Sequence, residues 1–132
     1  MANTHRIALV TGANKGIGLE IARQLAQAGV SVIIGARDAD RASAAVAGLA
    51  SDGLQVRSVA LDLNDHASIA GAAETIRTEH GRLDILVNNA GIVDAEDGPP
   101  TSGSPDAARR IMDTNFVGTL AVTQAMMPLL RR

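Results

Sequence analysis

The stretch "IALVTGANKGIGLE", Ile7 to Glu20, sets an apolar run against a turn with glycines at 12, 16 and 18, and a helical pattern begins behind it. A short apolar run without alternation is what a strand buried on both faces looks like. Gly12 lets the chain turn sharply off that strand, Gly16 lets backbone approach a phosphate, and Gly18 lets the helix pack tightly on the sheet. The free N–H groups and dipole of the following helix favour an anion at that point. The spacing is G-x-x-x-G-x-G rather than G-x-G-x-x-G, and no Lys-Ser or Lys-Thr pair closes the turn as in a Walker-type loop. Taken alone, such a turn is as readily a plain strand-to-helix connection as a ligand loop. Its place after the first strand and at the head of the first helix argues for the ligand.

Outward from the turn the same alternation repeats. Arg6 to Val10 reads as a strand and Gly16 to Ala28 as a helix with Ile17, Ile21, Leu25 and Ala28 on one face, stopped by Gly29. Ser31 to Ala36 is a second strand, and Asp38 or Asp40 caps an alanine-rich helix ending near Leu49 to Ser51. Gln55 to Ala60 is a third strand. Asp65 to Glu79 is a helix capped by Asn64 or Asp65 and closed by Gly81, and Leu83 to Val87 is a fourth strand. Residues 92–104, with two prolines, two glycines and three acids, read as a loop. Ser104-Pro105-Asp106 opens a long helix, 105–131, with loosening expected at Pro128. Strands alternating with helices predict an α/β, Rossmann-type doubly wound parallel sheet, and right-handed crossovers order the four visible strands 3-2-1-4.

Composition narrows the classes. The 132 residues are 46% apolar with a single aromatic, Phe116, which suits helices on a parallel sheet rather than an aromatic-rich β-sandwich. A net charge of −2 gives no basic footprint for nucleic acid. No run is long enough to span a membrane, no secretory leader is visible, and there is no cysteine, so a cytoplasmic domain is expected. No metal site is expected. His5, His66 and His80 read as surface positions without a chemical role.

TGxxxGIG at Thr11 to Gly18, "LD" at Leu61-Asp62, "NNAG" at Asn88 to Gly91 and "TNFVGT" at Thr114 to Thr119 occur in order along essentially the whole chain. In these motifs the chain resembles the short-chain dehydrogenase/reductase family. "LVTGANKGIGLEIARQLA", "ARD" and "LVNNAGI" look most like its carbonyl reductase branch. The resemblance implies an oxidoreductase that moves a hydride between a nicotinamide and a carbonyl or alcohol carbon of a small molecule. It places Gly12, Asn14, Lys15, Gly16, Ile17 and Gly18 in the cofactor turn. Asp62 would accept from the adenine amino group and Leu63 would offer its backbone N–H. Asn89, Ala90 and Gly91 would lie beside the nicotinamide ribose, while Asn88 would tie backbone groups together in the sheet.

NAD-preferring members commonly carry an acid at the end of the second strand, where this chain has Ala36 and then Arg37. Arg37 offers a planar charged fork and Lys15 a second cation, so NADP(H) is expected over NAD(H). Asp38 would take the ribose instead if the strand ran two residues further.

Asn115 matches the family's asparagine that organises a proton-relay water. The family's tyrosine, the lysine four residues on and the serine have no counterpart: there is no tyrosine, and Lys15 is the only lysine. The expectation is therefore an incomplete NAD(P)-binding domain over 1–132, truncated before the fifth strand and lacking the C-terminal catalytic half. It would bind cofactor without turnover. A non-catalytic NADP(H)-binding or sensing module, or a fragment needing a complementary chain, are the alternatives. The apolar face of the 105–131 helix could serve a homo-oligomer. Acidic Asp94, Glu96 and Asp97 are expected only to keep their loop solvated.

Overall fold

The computed structural model describes residues 5–130. Strands β1 (Ile7–Thr11), β2 (Ser31–Ala36), β3 (Val56–Ala60) and β4 (Ile85–Val87) form one parallel sheet in the order β3-β2-β1-β4, as expected. Helices α1 (Gly16–Gln27), α2 (Ala39–Ser51) and α3 (His66–His80) are the crossovers. After β4 come α4 (Pro105–Met112) and α5 (Thr119–Leu130), joined through a π-helical segment, Asp113–Gly118.

The period-2 side-chain alternation of the strands sorts the core into two layers. Ile7 and Leu9 of β1 and Ile33 of β2 pack with Ile69 and Ile76 of α3 and Val122 and Met126 of α5. Val10, Val32 and Ile34 face the other way, onto Ala22 and Ala26 of α1 and Leu49 of α2. This is why β1 is buried at every position and shows no alternation in sequence.

Helix α1 departs from the expected face. Its buried residues are Gly18, Ala22 and Ala26, while Ile21 and Leu25 are half-buried and Ile17 is 76% exposed. A Cβ on Gly18 would lie 2.7 Å from the carbonyl oxygen of Gly12. The helix thus comes so close behind the glycine turn that position 18 admits no side chain, and the other fully buried residues of its face are alanines. Strand β4 begins at Ile85 rather than Leu83 because the residues before it are engaged by other partners. The Leu83 N–H donates to the Leu129 carbonyl (3.2 Å), and the Asp84 carboxylate accepts from the Ile7 N–H (2.8 Å).

The expected single helix over 105–131 is interrupted by the π segment, and Arg131 lies outside the described residues. Pro128 is carried inside α5, which continues to Leu130. Met112, Phe116 and Leu120 form an exposed apolar stripe at four-residue spacing along this helix. Among the described residues no helix is long and apolar enough to cross a membrane.

Candidate functional site

The carboxyl ends of the strands surround a cleft of about 530 Å³, placed where an open parallel sheet receives ligands. Its walls are the turn after β1, the end of β2 with Arg37 and Asp38, Leu61 to Asn64 after β3, Asn89 to Val93 after β4, and Thr114 of the π segment. Of the residues expected to hold a cofactor, Gly12, Asn14, Lys15, Gly16, Arg37, Asp62, Leu63, Asn89, Ala90 and Gly91 all line it. Ile17 and Gly18 do not: Gly18 is buried behind the turn and Ile17 projects into solvent from the first turn of α1.

Two of the turn's glycines do distinct work. Gly12 sits at φ 62°, and a Cβ there would lie 2.8 Å from the Ala90 Cα, so the turn touches the backbone after β4. Gly16 sits at φ 60° with open space where a side chain would be, which leaves the backbone accessible from the cleft. Helices α2, α3 and α4 are capped by the side chains of Asp38, Asp65 and Ser104. Helix α1 has Lys15 at its cap position and no side-chain hydrogen bond. Its positive end is thus left to the cleft.

The charges at the end of β2 follow from where that strand stops. It ends at Ala36, which is buried. Asp38 is the N-cap of α2, where Oδ1 accepts from the Arg41 N–H (3.0 Å) and Oδ2 stands 3.6 Å from the Arg41 guanidinium. Arg41, four residues after Arg37 and inside α2, also lines the cleft, and no sequence motif marks it. No ion pair engages Lys15 or Arg37 among the described residues.

Beyond the turn, the rim is tied together by side chains whose roles the motifs did not reveal. The Thr11 hydroxyl, 1% exposed, accepts from the N–H groups of both Asn89 and Ala90 (3.0 Å each) and lies 3.4 Å from the Val87 carbonyl. Asn89 Nδ2 donates to the Gly12 carbonyl (3.1 Å), so Asn89 makes the backbone tie expected of Asn88. Asn88 instead donates to the Thr123 hydroxyl of α5 (3.1 Å). Asp62 accepts from the Asn64 N–H (3.0 Å), shaping the turn after β3, while Asp65 caps α3.

Asn115 does not line the cleft, but it grips a residue that does. Its Oδ1 accepts from the Ile92 N–H (2.8 Å) and its Nδ2 donates to the Ile92 carbonyl (3.0 Å). The loop that follows is also anchored more firmly than solvation alone requires. Arg110 Nε donates to Asp94 Oδ2 (2.7 Å), and Asp94 Oδ1 accepts from the Glu96 N–H (3.0 Å), leaving the Asp94 side chain 15% exposed. The Arg110 hydrogen bond, and then the Glu96 amide, hold the Asp94 carboxyl below the usual aspartate range. A carboxylate whose pKa is lowered by folding contributes stability above its unfolded pKa and loses it as pH falls through the folded one. Arg110→Gln is therefore expected to speed protease cleavage within 95–103 at neutral pH. In the parent chain the same loosening should appear only well below about pH 4, and equal cleavage of the two at neutral pH would refute the anchor.

His80 differs from its expected surface placement: its Nε2 is sealed from solvent without a hydrogen-bond partner, 3.9 Å from the Glu79 carboxylate. His5 and His66 are exposed. Among the described residues no cluster of His, Asp or Glu could hold a metal ion.

Comparison with known proteins agrees with this geometry. The family model described as short chain dehydrogenase matches residues 6–132. Pig (Sus scrofa) "Carbonyl reductase [NADPH] 1" is 43% identical over 132 residues, a match covering 99% of this chain and 45% of that protein. Among solved structures, "Menthone neomenthol reductase from Mentha piperita" superposes with a TM-score of 0.88 at 35% identity, covering 98% of this chain and 57% of that one. The "F189W Actinorhodin Polyketide Ketoreductase with NADPH" gives 0.86 at 30% identity, covering 96% and 48%. The chain thus spans about half the length of the carbonyl reductases it matches. Ordered motifs, strand order and the matched span agree, and the chain belongs to the short-chain dehydrogenase family.

Proposed function

We propose that the protein these residues belong to reduces a small-molecule carbonyl to an alcohol with NADPH, and that this stretch forms the cofactor site. One observation carries the cofactor choice. At the end of β2, buried Ala36 stands where an acid would be needed for the ribose hydroxyls, and Asp38 is engaged as the cap of α2. Arg37 and Lys15 are left facing the same cleft. A 2′-phosphate is matched by two cations there and meets no uncommitted carboxylate at that strand end. The relatives whose names specify NADPH support the same reading.

The residues present fit a dinucleotide. The side-chain-free backbone at Gly16 and the uncapped end of α1 suit a diphosphate, and the Leu61 to Asn64 wall suits the base. Bound there, NADPH would supply a hydride to the carbonyl carbon. Asn89 to Gly91 would position its ribose, and Asn115 would set the loop beside it through Ile92. With no tyrosine and only Lys15 as lysine, these 132 residues offer no counterpart of the family's proton donor. The stretch by itself is expected to bind NADPH without carbonyl-dependent oxidation.

That same inventory supports a second reading, a non-catalytic NADP(H)-binding module. Both readings share the cofactor site, and Arg37→Asp tests it. By fluorescence titration the substitution should weaken NADPH at least about tenfold, a charge-reversal effect of about 1.4 kcal/mol or more, while NADH binding holds or improves. An unchanged NADPH-to-NADH ratio would sink the assignment. Turnover by a chain extended through a Ser and Tyr-x-x-x-Lys segment would separate enzyme from module.

A further inference from the structure

We propose that Thr114 is a positioning residue that couples the base end of the cleft to the loop at Ile92. The inference rests on the cofactor reading above and goes beyond it. Thr114 and Thr11 are the two buried polar residues among those described. Thr11 joins β1 to the chain after β4; Thr114 joins two loops that are far apart in sequence. Its hydroxyl lies against the side-chain amide of Asn64, 2.9 Å from Nδ2 and 3.1 Å from Oδ1. One turn further on, Gly118 sits so close to Leu63 that a Cβ would fall 2.7 Å from the Leu63 carbonyl oxygen. The π segment is therefore seated on the Leu63-Asn64 wall by two contacts of opposite kind, one polar and one steric.

The neighbouring residue faces the other loop. Asn115 holds both backbone groups of Ile92, so a shift of the Asn115 side chain strains or breaks those two hydrogen bonds. Successive helical side chains point in different directions, so adjacent residues can address two walls of one cleft. Here they do so within a π turn, a helical irregularity that recurs at functional sites. A base pressed against Leu63 and Asn64 would restrain Thr114, and one peptide unit transmits that restraint to the Asn115 clasp. The coupling is a difference in free energy between filled and empty base sites, read at a distant backbone amide.

The Ile92 N–H reports it directly, because its acceptor is Asn115 Oδ1. The probe is adenosine 2′,5′-bisphosphate, which carries the base and 2′-phosphate but no nicotinamide. In the full chain, saturating bisphosphate is expected to slow Ile92 amide exchange about fivefold or more, measured by NMR. Thr114→Val should abolish the slowing at saturation, and Thr114→Ser should retain it. If Thr114→Val fails to fold, Asn64→Ala at the exposed rim carries the test, with the same loss expected. Full slowing in the Val or Ala variant, or none in the parent chain with bisphosphate bound by calorimetry, would overturn the coupling alone. No binding of bisphosphate to the parent chain would overturn the cofactor reading and this inference together.

Discussion

Gly12→Ala is expected to cost about 2–5 kcal/mol of stability, a large share of the usual total of about 5–15 kcal/mol. Two independent effects add. At φ 62° an L side chain is strained by about 1–2 kcal/mol. The new methyl would also stand 2.8 Å from the Ala90 Cα, a backbone atom that cannot swing aside as a side-chain end could. Overpacking of that kind costs about 1–3 kcal/mol. Gly16→Ala is the internal control. It meets the same dihedral strain at φ 60° but no neighbouring atom, so it should lose only that strain, about 1–2 kcal/mol. Urea unfolding of the two variants separates the effects, and equal midpoints would show that the contact with Ala90 contributes nothing. NADPH titration should rank them differently. Gly16→Ala, with its methyl directed into open space at the cleft, should weaken binding while the fold survives.

Thr11→Val is the second large effect, and it removes no volume. Valine keeps the shape of threonine but cannot accept the two hydrogen bonds that the hydroxyl takes from Asn89 and Ala90. Those N–H groups are partly buried, and leaving such donors unmet costs about 1–3 kcal/mol each. A total of about 2–4 kcal/mol is expected, toward the lower half because some water can reach them. Thr11→Ser keeps the hydroxyl and loses one methyl, for about 1 kcal/mol. If the Val variant is no less stable than the Ser variant, the clamp is not a stabilising element. A functional consequence should accompany the structural one. Asn89 and Ala90 form the part of the cleft wall that adjoins the glycine turn, so their release should also weaken NADPH binding at a urea concentration where the fold persists.

Both substitutions act at the same seam, where the end of β1 meets the chain after β4, more than seventy residues later in sequence. That separation explains what could be read in advance. The motifs identified Gly12 and Asn89 to Gly91 individually, because each carries a residue type that the family uses. They did not reveal that Gly12 touches Ala90, or that Asn89 rather than Asn88 makes the tie. Adjacent asparagines in an "NNAG" turn are alike in composition, and only the direction each side chain takes at the strand end distinguishes them. Thr11 belongs to the turn's motif, and nothing local marks its hydroxyl as an acceptor for two distant amides.

The sequence by itself determined the element order, the 3-2-1-4 sheet, the glycine turn and the family, as well as the absence of a tyrosine. These are properties of residue type and short-range spacing: apolar runs, helical periodicity, capping residues and glycines recur at intervals that local geometry dictates. Tertiary structure alone decided which face of α1 is buried, where the helix after Ser104 becomes a π segment, and how Thr11, Thr114, Asn115 and Asp94 bind the loops into one rim. Each of those depends on a partner that folding brings in from 16 to 79 residues away, or, for α1, on how closely the helix approaches the sheet. Periodicity counts neighbours along the chain, whereas a buried hydroxyl or a missing Cβ answers to neighbours across it.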